Sequence, residues 1–284
     1  MTTRTRTWIL LAGLSALFIA VGGLVGGTSG IILFLVIAVG FNFAMFWFSD
    51  RLALKMSRAK PLEPGQAPDL VVDVEDLAQR ARIPVPRLYL IPSQQPNAFA
   101  TGRSPKHSAV AVTEGLLALM PRDQVRGVLA HELAHIRNRD VLVTTIAAMI
   151  GAAISAVAHF LQFQWLFGGG DDDESPLGLV GTLAAVLIAP IAAMLLQFAV
   201  SRQREFLADA TAAELLGTGR PLADALGTLQ RGVEVLPMKV NPAASSLYIV
   251  NPLSGHGMSA LFSTHPPIPL RIERLLAFDA NRGL

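Results

Sequence analysis

The polarity pattern divides the 284-residue chain into four long apolar runs and two mixed segments. The runs cover residues 8–27, 30–49, 141–167 and 177–200, and none contains Lys, Arg, Asp or Glu. Each has the roughly 20 residues with which a helix rising about 1.5 Å per residue crosses about 30 Å of hydrocarbon. Only Thr28 and Ser29 separate the first two, which are therefore expected as a helical hairpin turning on Gly22, Gly23, Gly26, Gly27 and Gly30. That immediate second run argues against reading Arg4, Arg6 and the first run as a cleaved signal peptide. The last two runs are expected as a second hairpin. The alternative for them, a buried helical core, rests on His159, Gln162 and Gln164 within the third run.

The mixed segments, about 90 residues between the second and third runs and 84 after the fourth, suffice together for one domain with its own core. Pro61, Pro64, Gly65 and Pro68 read as a linker. Apolar residues at Leu70, Val74, Leu77, Ala78 and Ala81 predict an amphipathic helix over 70–82, ended by Pro84 and Pro86. Short runs at 87–91, 98–101 and 108–113 predict a small antiparallel sheet. Thr113 is expected to cap a short helix reaching about Met120, and Pro121 to open the next.

Composition supports the bilayer: 52% of residues are hydrophobic and only 15% charged, with mean hydropathy +0.48. A soluble domain is about a quarter charged. The absence of cysteine excludes a disulfide scaffold and a thiolate-held zinc or iron–sulfur site. Charge placement then gives sidedness. Of the 23 basic residues, 2 lie in 1–7, 13 in 50–140 and 8 in 201–284, while the loop 168–176 has none and carries Asp171, Asp172, Asp173 and Glu174. The positive-inside rule makes both termini and both mixed segments cytoplasmic. Trp8, Phe46, Trp47, Phe48, Trp165 and Phe167 mark the membrane interfaces. Nucleic-acid binding from the pI of about 9.3 fails, because the basic residues are interleaved with 17 acidic ones.

Chemistry enters at His131-Glu132-Leu133-Ala134-His135. Residues four apart share a helix face, so two imidazoles can close on one metal ion while Glu132 reaches its water. A catalytic zinc usually takes a third protein ligand. The second hairpin returns the chain to the same side at Arg202-Gln203-Arg204-Glu205-Phe206-Leu207-Ala208-Asp209, which makes Glu205 the expected third ligand. Asp209, one turn later, is expected to hold a ligand imidazole's other N–H. The alternative for this stretch is a solvated, charged helix start. The implied reaction is metal-assisted hydrolysis, with Glu132 taking a proton from water and passing it to the leaving amine.

Together "VLAHELAHIRNRD" (128–140), "SRQREFLAD" (201–209), "IPSQQPNAFATG" (91–102), "AVAVTEGLL" (109–117) and "THPP" (264–267) resemble the HtpX-type bacterial membrane zinc metalloproteases. That peptidase group also includes the type I CAAX prenyl endopeptidases. The resemblance implies a multi-pass endopeptidase of the bacterial cytoplasmic membrane in protein quality control and stress response. It would cut misfolded or damaged membrane proteins and hold one zinc per subunit on His131, His135 and Glu205, with Glu132 catalytic. It also suggests two further sites. The extended run Asn97, Ala98, Phe99 and Ala100 would bind substrate as an added strand, unless it is an ordinary hairpin. His265 would donate to the tetrahedral oxyanion, unless it merely caps or packs. Arg271 is expected either to pair with Asp209 or to be solvated, and no spacing ties His107 or His256 to the metal.

The expected architecture is an α-helical membrane protein with four transmembrane helices and an α+β, gluzincin-like metalloprotease domain. Its parts are a hairpin over 1–49, a catalytic segment over 50–140, a hairpin over 141–200 and a second catalytic segment over 201–284 carrying the third ligand. Two rivals are weighed. An intramembrane protease would bury the motif in a span, but Arg122, Asp123 and Arg126 precede it and Arg137, Arg139 and Asp140 follow. A non-catalytic zinc-binding scaffold or adaptor would use a closed, four-ligand site. The sidedness is tested by labelling single cysteines in intact cells: Asp172→Cys should react with an impermeant maleimide and Pro64→Cys should not. The reverse pattern would invert the topology.

Overall fold

The computed structural model describes residues 3–146, 202–235 and 266–280. Most of the third apolar run, all of the fourth and His265 lie outside the described residues. Helix α1 (Thr3–Met56) takes in both N-terminal runs. It is not a straight rod, because Gly27 has φ +56° and Asn42 Nδ2 donates to Leu11 O at 3.2 Å and Ser15 Oγ at 2.7 Å. In a straight helix those partners would lie about 40 Å or more apart. The chain therefore doubles back at Gly27, within the glycine cluster where the sequence predicts the turn. Among the described residues one stretch, Gly27–Met56, is long and apolar enough to cross a membrane. Ile32, Leu33, Val36, Val39 and Phe43 on it are exposed, as lipid-facing residues would be.

The second half of α1 continues past the apolar run and docks on a sheet. Strands β1 (Lys60–Pro61), β2 (Arg87–Ile91), β3 (Ala98–Ser104) and β4 (His107–Thr113) are ordered β1-β2-β4-β3. The expected antiparallel sheet is in fact mixed: β2 and β4 run parallel, with Arg87 opposite Ala109 and Ile91 opposite Thr113. The hairpin β3–β4 enters with its second strand against β2, which leaves β3 at the edge. The proline-rich linker is likewise corrected at its start, since Lys60 and Pro61 pair with Leu90 and Tyr89.

Alternation along β4 explains why the sheet is covered on both sides. Val110 and Val112 face the main core, whereas Ala109 and Ala111 join Met45, Ala53 and Leu54 of α1, with Ile91 and Phe99. The main core is built by α2 (Pro68–Ala81), which buries Leu70, Val74, Leu77, Ala78 and Ala81 as its spacing predicts, and by α4 (Arg122–Asn138). Between β4 and α4 lies α3 (Glu114–Leu119), capped by Thr113 Oγ1, which accepts from Leu116 N at 3.2 Å. Arg122 and Arg126 of α4 pair with Asp69, Asp73 and Asp76 of α2, locking the two helices.

Residues 141–146 are helical and start the third apolar run, with Val141, Val143 and Ile146 buried. The chain is described again in α5 (Arg202–Leu216), α6 (Arg220–Val235) and α7 (Ile268–Ala280). Helix α4 is the hub, packed against α2, α5, α6 and β3. Gly127 permits its closest approach, since a Cβ there would lie 2.6 Å from Leu222 N of α6. Backbone cannot retreat as a flexible side chain can, so Gly127→Ala should cost about 1–3 kcal/mol of stability. Thermal unfolding of the purified protein in detergent checks this, and an unchanged midpoint would contradict it.

Candidate metal centre

The α4 spacing puts His131 and His135 one turn apart on a buried stretch, with ring centroids 4.6 Å apart and Nε2 atoms separated by 3.1 Å. Helix α5 packs alongside and presents Glu205 from its first turn. Its Oε2 lies 3.6 Å from His131 Nε2 and its Oε1 3.6 Å from His135 Nε2. One atom from each of the three residues falls within 4.8 Å of the others, a spacing that one ion can bridge. Two neutral-capable imidazoles and a carboxylate are a donor set suited to zinc, and they leave room for a fourth, exchangeable ligand.

Behind this triad, each imidazole has a carboxylate at its far nitrogen. Asp209, one turn after Glu205, places Oδ1 3.0 Å from His131 Nδ1. Both Asp140 oxygens lie 3.1 Å from His135 Nδ1. Such contacts set a carboxylate behind each ring and leave Nε2 to face the centre, and at His135 the hydrogen bond to Asp140 favours a proton on Nδ1. Asp140 is the residue that spacing alone misses. It follows Arg139, whose left-handed conformation (φ 60°) ends α4 and donates to His135 O and Ile136 O, and that turn swings Asp140 back over the ring. A helix ending immediately after an HExxH motif, followed by Asp, is the sequence signal for it.

Arg271 of α7 is fully buried, and of its two expected states the structure has the pair with Asp209. Its Nε donates to Asp209 Oδ2 at 2.8 Å and its Nη2 to Oδ1 at 2.7 Å, while Nη1 lies 3.7 Å from Glu205 Oε2. Glu132 turns the other way, toward the sheet edge, where its Oε2 accepts from Ala100 N at 2.7 Å. Thr113 N and Oγ1 both donate to Asn97 O. By antiparallel parity, Asn97 and Phe99 point their backbone groups at β4, while Ala98 and Ala100 point theirs outward, over α4. His107 is exposed on the β3–β4 hairpin beside Ser104, away from the centre; His159, His256 and His265 lie outside the described residues.

The charges act on one another strongly. Burial alone would lower both imidazole pKa values, but the surrounding carboxylates outweigh it. Asp209 and Glu205 raise His131, and Asp140, with Glu205 and Glu132, pushes His135 up to about 10. Burial also raises Glu132, against the nearby imidazoles, and keeps it poised to hold a proton. Asp209 is raised by burial yet held low overall by the Arg271 guanidinium and its bond to His131.

The sequence profile of peptidase family M48 matches residues 64–279. The chain is 52% identical over 274 residues to "Protease HtpX homolog" of Pelotomaculum thermopropionicum, covering 96% of this chain and 98% of that one. The protein of the same name from Desulfatibacillum aliphaticivorans is 48% identical over 285 residues, covering 100% and 92%. Among solved structures, that of S. mikatae Ste24p matches 95% of this chain with a TM-score of 0.51 at 20% identity, a likeness of fold. This chain spans 62% of that structure's length.

Metal uptake by these imidazoles must displace their protons. Because His135 titrates near 10 and His131 is also raised, proton release should persist well above neutrality. Apparent zinc affinity, measured by competition with a chromophoric chelator, should rise about ten- to a hundredfold per pH unit between about pH 7 and 9. A pH-independent affinity would contradict the carboxylate-held imidazoles.

Proposed function

The chain belongs to peptidase family M48 and is a membrane metalloprotease, and from that premise we propose that it is a zinc endopeptidase working at the cytoplasmic surface of the bilayer. The observation that carries this reading is the meeting of His131, His135 and Glu205 beside Glu132. When bound, zinc supplies Lewis acidity, bringing the pKa of water toward about 7 and polarising a carbonyl. The remaining work falls to the chain's own side chains. Asp209 and Asp140 orient the two imidazoles, and Arg271 holds Asp209 in place. Glu132, its pKa raised by burial, takes the water's proton and delivers it to the departing amine.

Substrate would enter as a strand along β3. The Ala100 amide is engaged by Glu132, so the pairing would use the outward amide and carbonyl of Ala98, which is buried here and would have to be uncovered, with Asn97 and Phe99 holding the edge against β4. Backbone pairing gives affinity with little selectivity for side chains, which suits unfolded or damaged membrane proteins as substrates. His265, outside the described residues and three positions before Ile268, where α7 starts, is proposed as the oxyanion donor. The four-span topology, with both mixed segments cytoplasmic, completes the proposal. It lets the second apolar hairpin deliver Glu205 to the histidines despite the 70 positions between Glu205 and His135.

Ligand and base are separable by substitution. In detergent-purified protein, Glu205→Gln should lose zinc, whereas Glu132→Gln should keep it and digest casein about a hundred- to ten-thousandfold more slowly. Normal cleavage by Glu132→Gln would refute the proton-transfer role. Zinc binding by the wild type without any cleavage would favour the scaffold reading instead.

A further inference from the structure

On the side of the domain reached by the C-terminal ends of α2 and α4 lies a cavity of about 460 Å³ that the proteolytic site does not use. Five basic residues line it, Arg82, Arg103, Lys106, Arg137 and Arg139, and no acidic residue does. Among the described residues one carboxylate approaches any of them, Glu214 at 3.8 Å from Arg137, with both side chains largely exposed. The same helix α4 treats its other arginines differently, since Arg122 and Arg126 are matched by Asp69, Asp73 and Asp76. An unmatched cluster of like charge repels itself, and it is tolerated where an anion neutralises it.

A bland explanation is that Arg82 and Arg139 complement the negative ends of two helices. Those ends are already closed: the Arg82 N–H donates to Ala78 O and Gln79 O, and the Arg139 N–H to His135 O and Ile136 O. Both residues sit at positive φ, 55° and 60°, where glycine is the unstrained choice. At both cap positions a long cation stands in a conformation that disfavours it, and both line the cavity.

Two observations place the cavity against a bilayer. Val141 and Leu142, where the third apolar run begins, form part of its wall. The Arg103 guanidinium lies 4.6 Å over the ring of Trp47, near the end of the second apolar run and three residues before Asp50. Cations, an interfacial tryptophan and the base of an apolar helix together match a lipid whose phosphate is bound while its acyl chains remain in the membrane. A free anion would gain nothing from the apolar wall. We propose that this cavity binds the phosphate-bearing headgroup of an anionic phospholipid, seated between the bases of the second and third apolar runs. The inference rests on the membrane reading of those runs.

The full chain is reconstituted into nanodiscs of phosphatidylcholine with increasing phosphatidylglycerol, and bound lipid is counted by native mass spectrometry after release. Wild type should retain phosphatidylglycerol over phosphatidylcholine, and the triple variant Arg82→Gln/Arg103→Gln/Lys106→Gln should lose that preference about tenfold or more. The variant Arg82→Lys/Arg103→Lys, which keeps charge, should preserve it and so guards against misfolding as the cause. Equal retention of the two lipids by wild type, or an unchanged preference in the triple variant, overturns the proposal while leaving the membrane reading intact. Failure of wild type to enter nanodiscs would instead overturn the membrane reading. Equal displacement of phosphatidylglycerol by millimolar inorganic phosphate, or by a Glu-rich peptide, would show a general anion site and overturn the lipid assignment.

Discussion

The structure is organised around the neutralisation of buried negative charge. Glu132, Asp140, Glu205 and Asp209 converge at 7% exposure or less, within reach of His131, His135 and Arg271. A buried ion without a partner costs several kcal/mol, so this cluster exists only because positive charge is delivered to it. Arg271 supplies one unit permanently. The imidazoles, whose pKa values the carboxylates raise, supply more when protonated, and a divalent cation held by them in neutral form would supply two units. Four carboxylates against Arg271 and a dication leave one negative charge, which a proton on Glu132 would cancel, and metal binding is an exchange against imidazole protons. This is the physical meaning of raised imidazole pKa values in a site whose donor set suits zinc.

The rest of the fold holds these groups in register. Helix α4 carries both histidines and Glu132 and is gripped by α2 through the arginine–aspartate lock and by α6 through the close approach at Gly127. Helix α5 brings Glu205 and Asp209 on one face, and α7 brings Arg271 beneath them. The sheet contributes its edge, where the Ala100 amide fixes Glu132 between the His131, His135 and Glu205 triad and β3. Because α1 runs from the apolar hairpin straight onto the sheet, through Met45, Ala53 and Leu54, the domain is held close to the membrane its exposed residues imply.

Much of this was legible where a local rule decides the outcome. The amphipathic spacing of 70–81, the Thr113 cap and the i, i+4 histidine pair each follow from the geometry of one element, and each appears as expected. The pairing of Arg271 with Asp209 was one of two alternatives, because nothing in 62 residues of separation says which face α7 presents. The sheet differs from the expectation because hairpin logic supplies only antiparallel neighbours, whereas β2 pairs directly with β4, two strands later in the chain, and β3 lies outside it at the edge. The place of Asp140 depends on a left-handed residue outside the helix, beyond the reach of helical periodicity. The short β1 escaped because prolines at 61, 64 and 68 read as linker, yet Pro61 sits on an edge strand, where a missing N–H is harmless.

The central claim is that two imidazoles and one carboxylate, without sulfur, hold a single zinc ion. X-ray absorption at the zinc edge of the detergent-purified full chain tests it most directly. The expected spectrum has light-atom scatterers at about 2.0–2.1 Å and the outer-shell signature of two imidazoles. A signature of three imidazoles, or of one, would contradict the assignment of His131, His135 and Glu205.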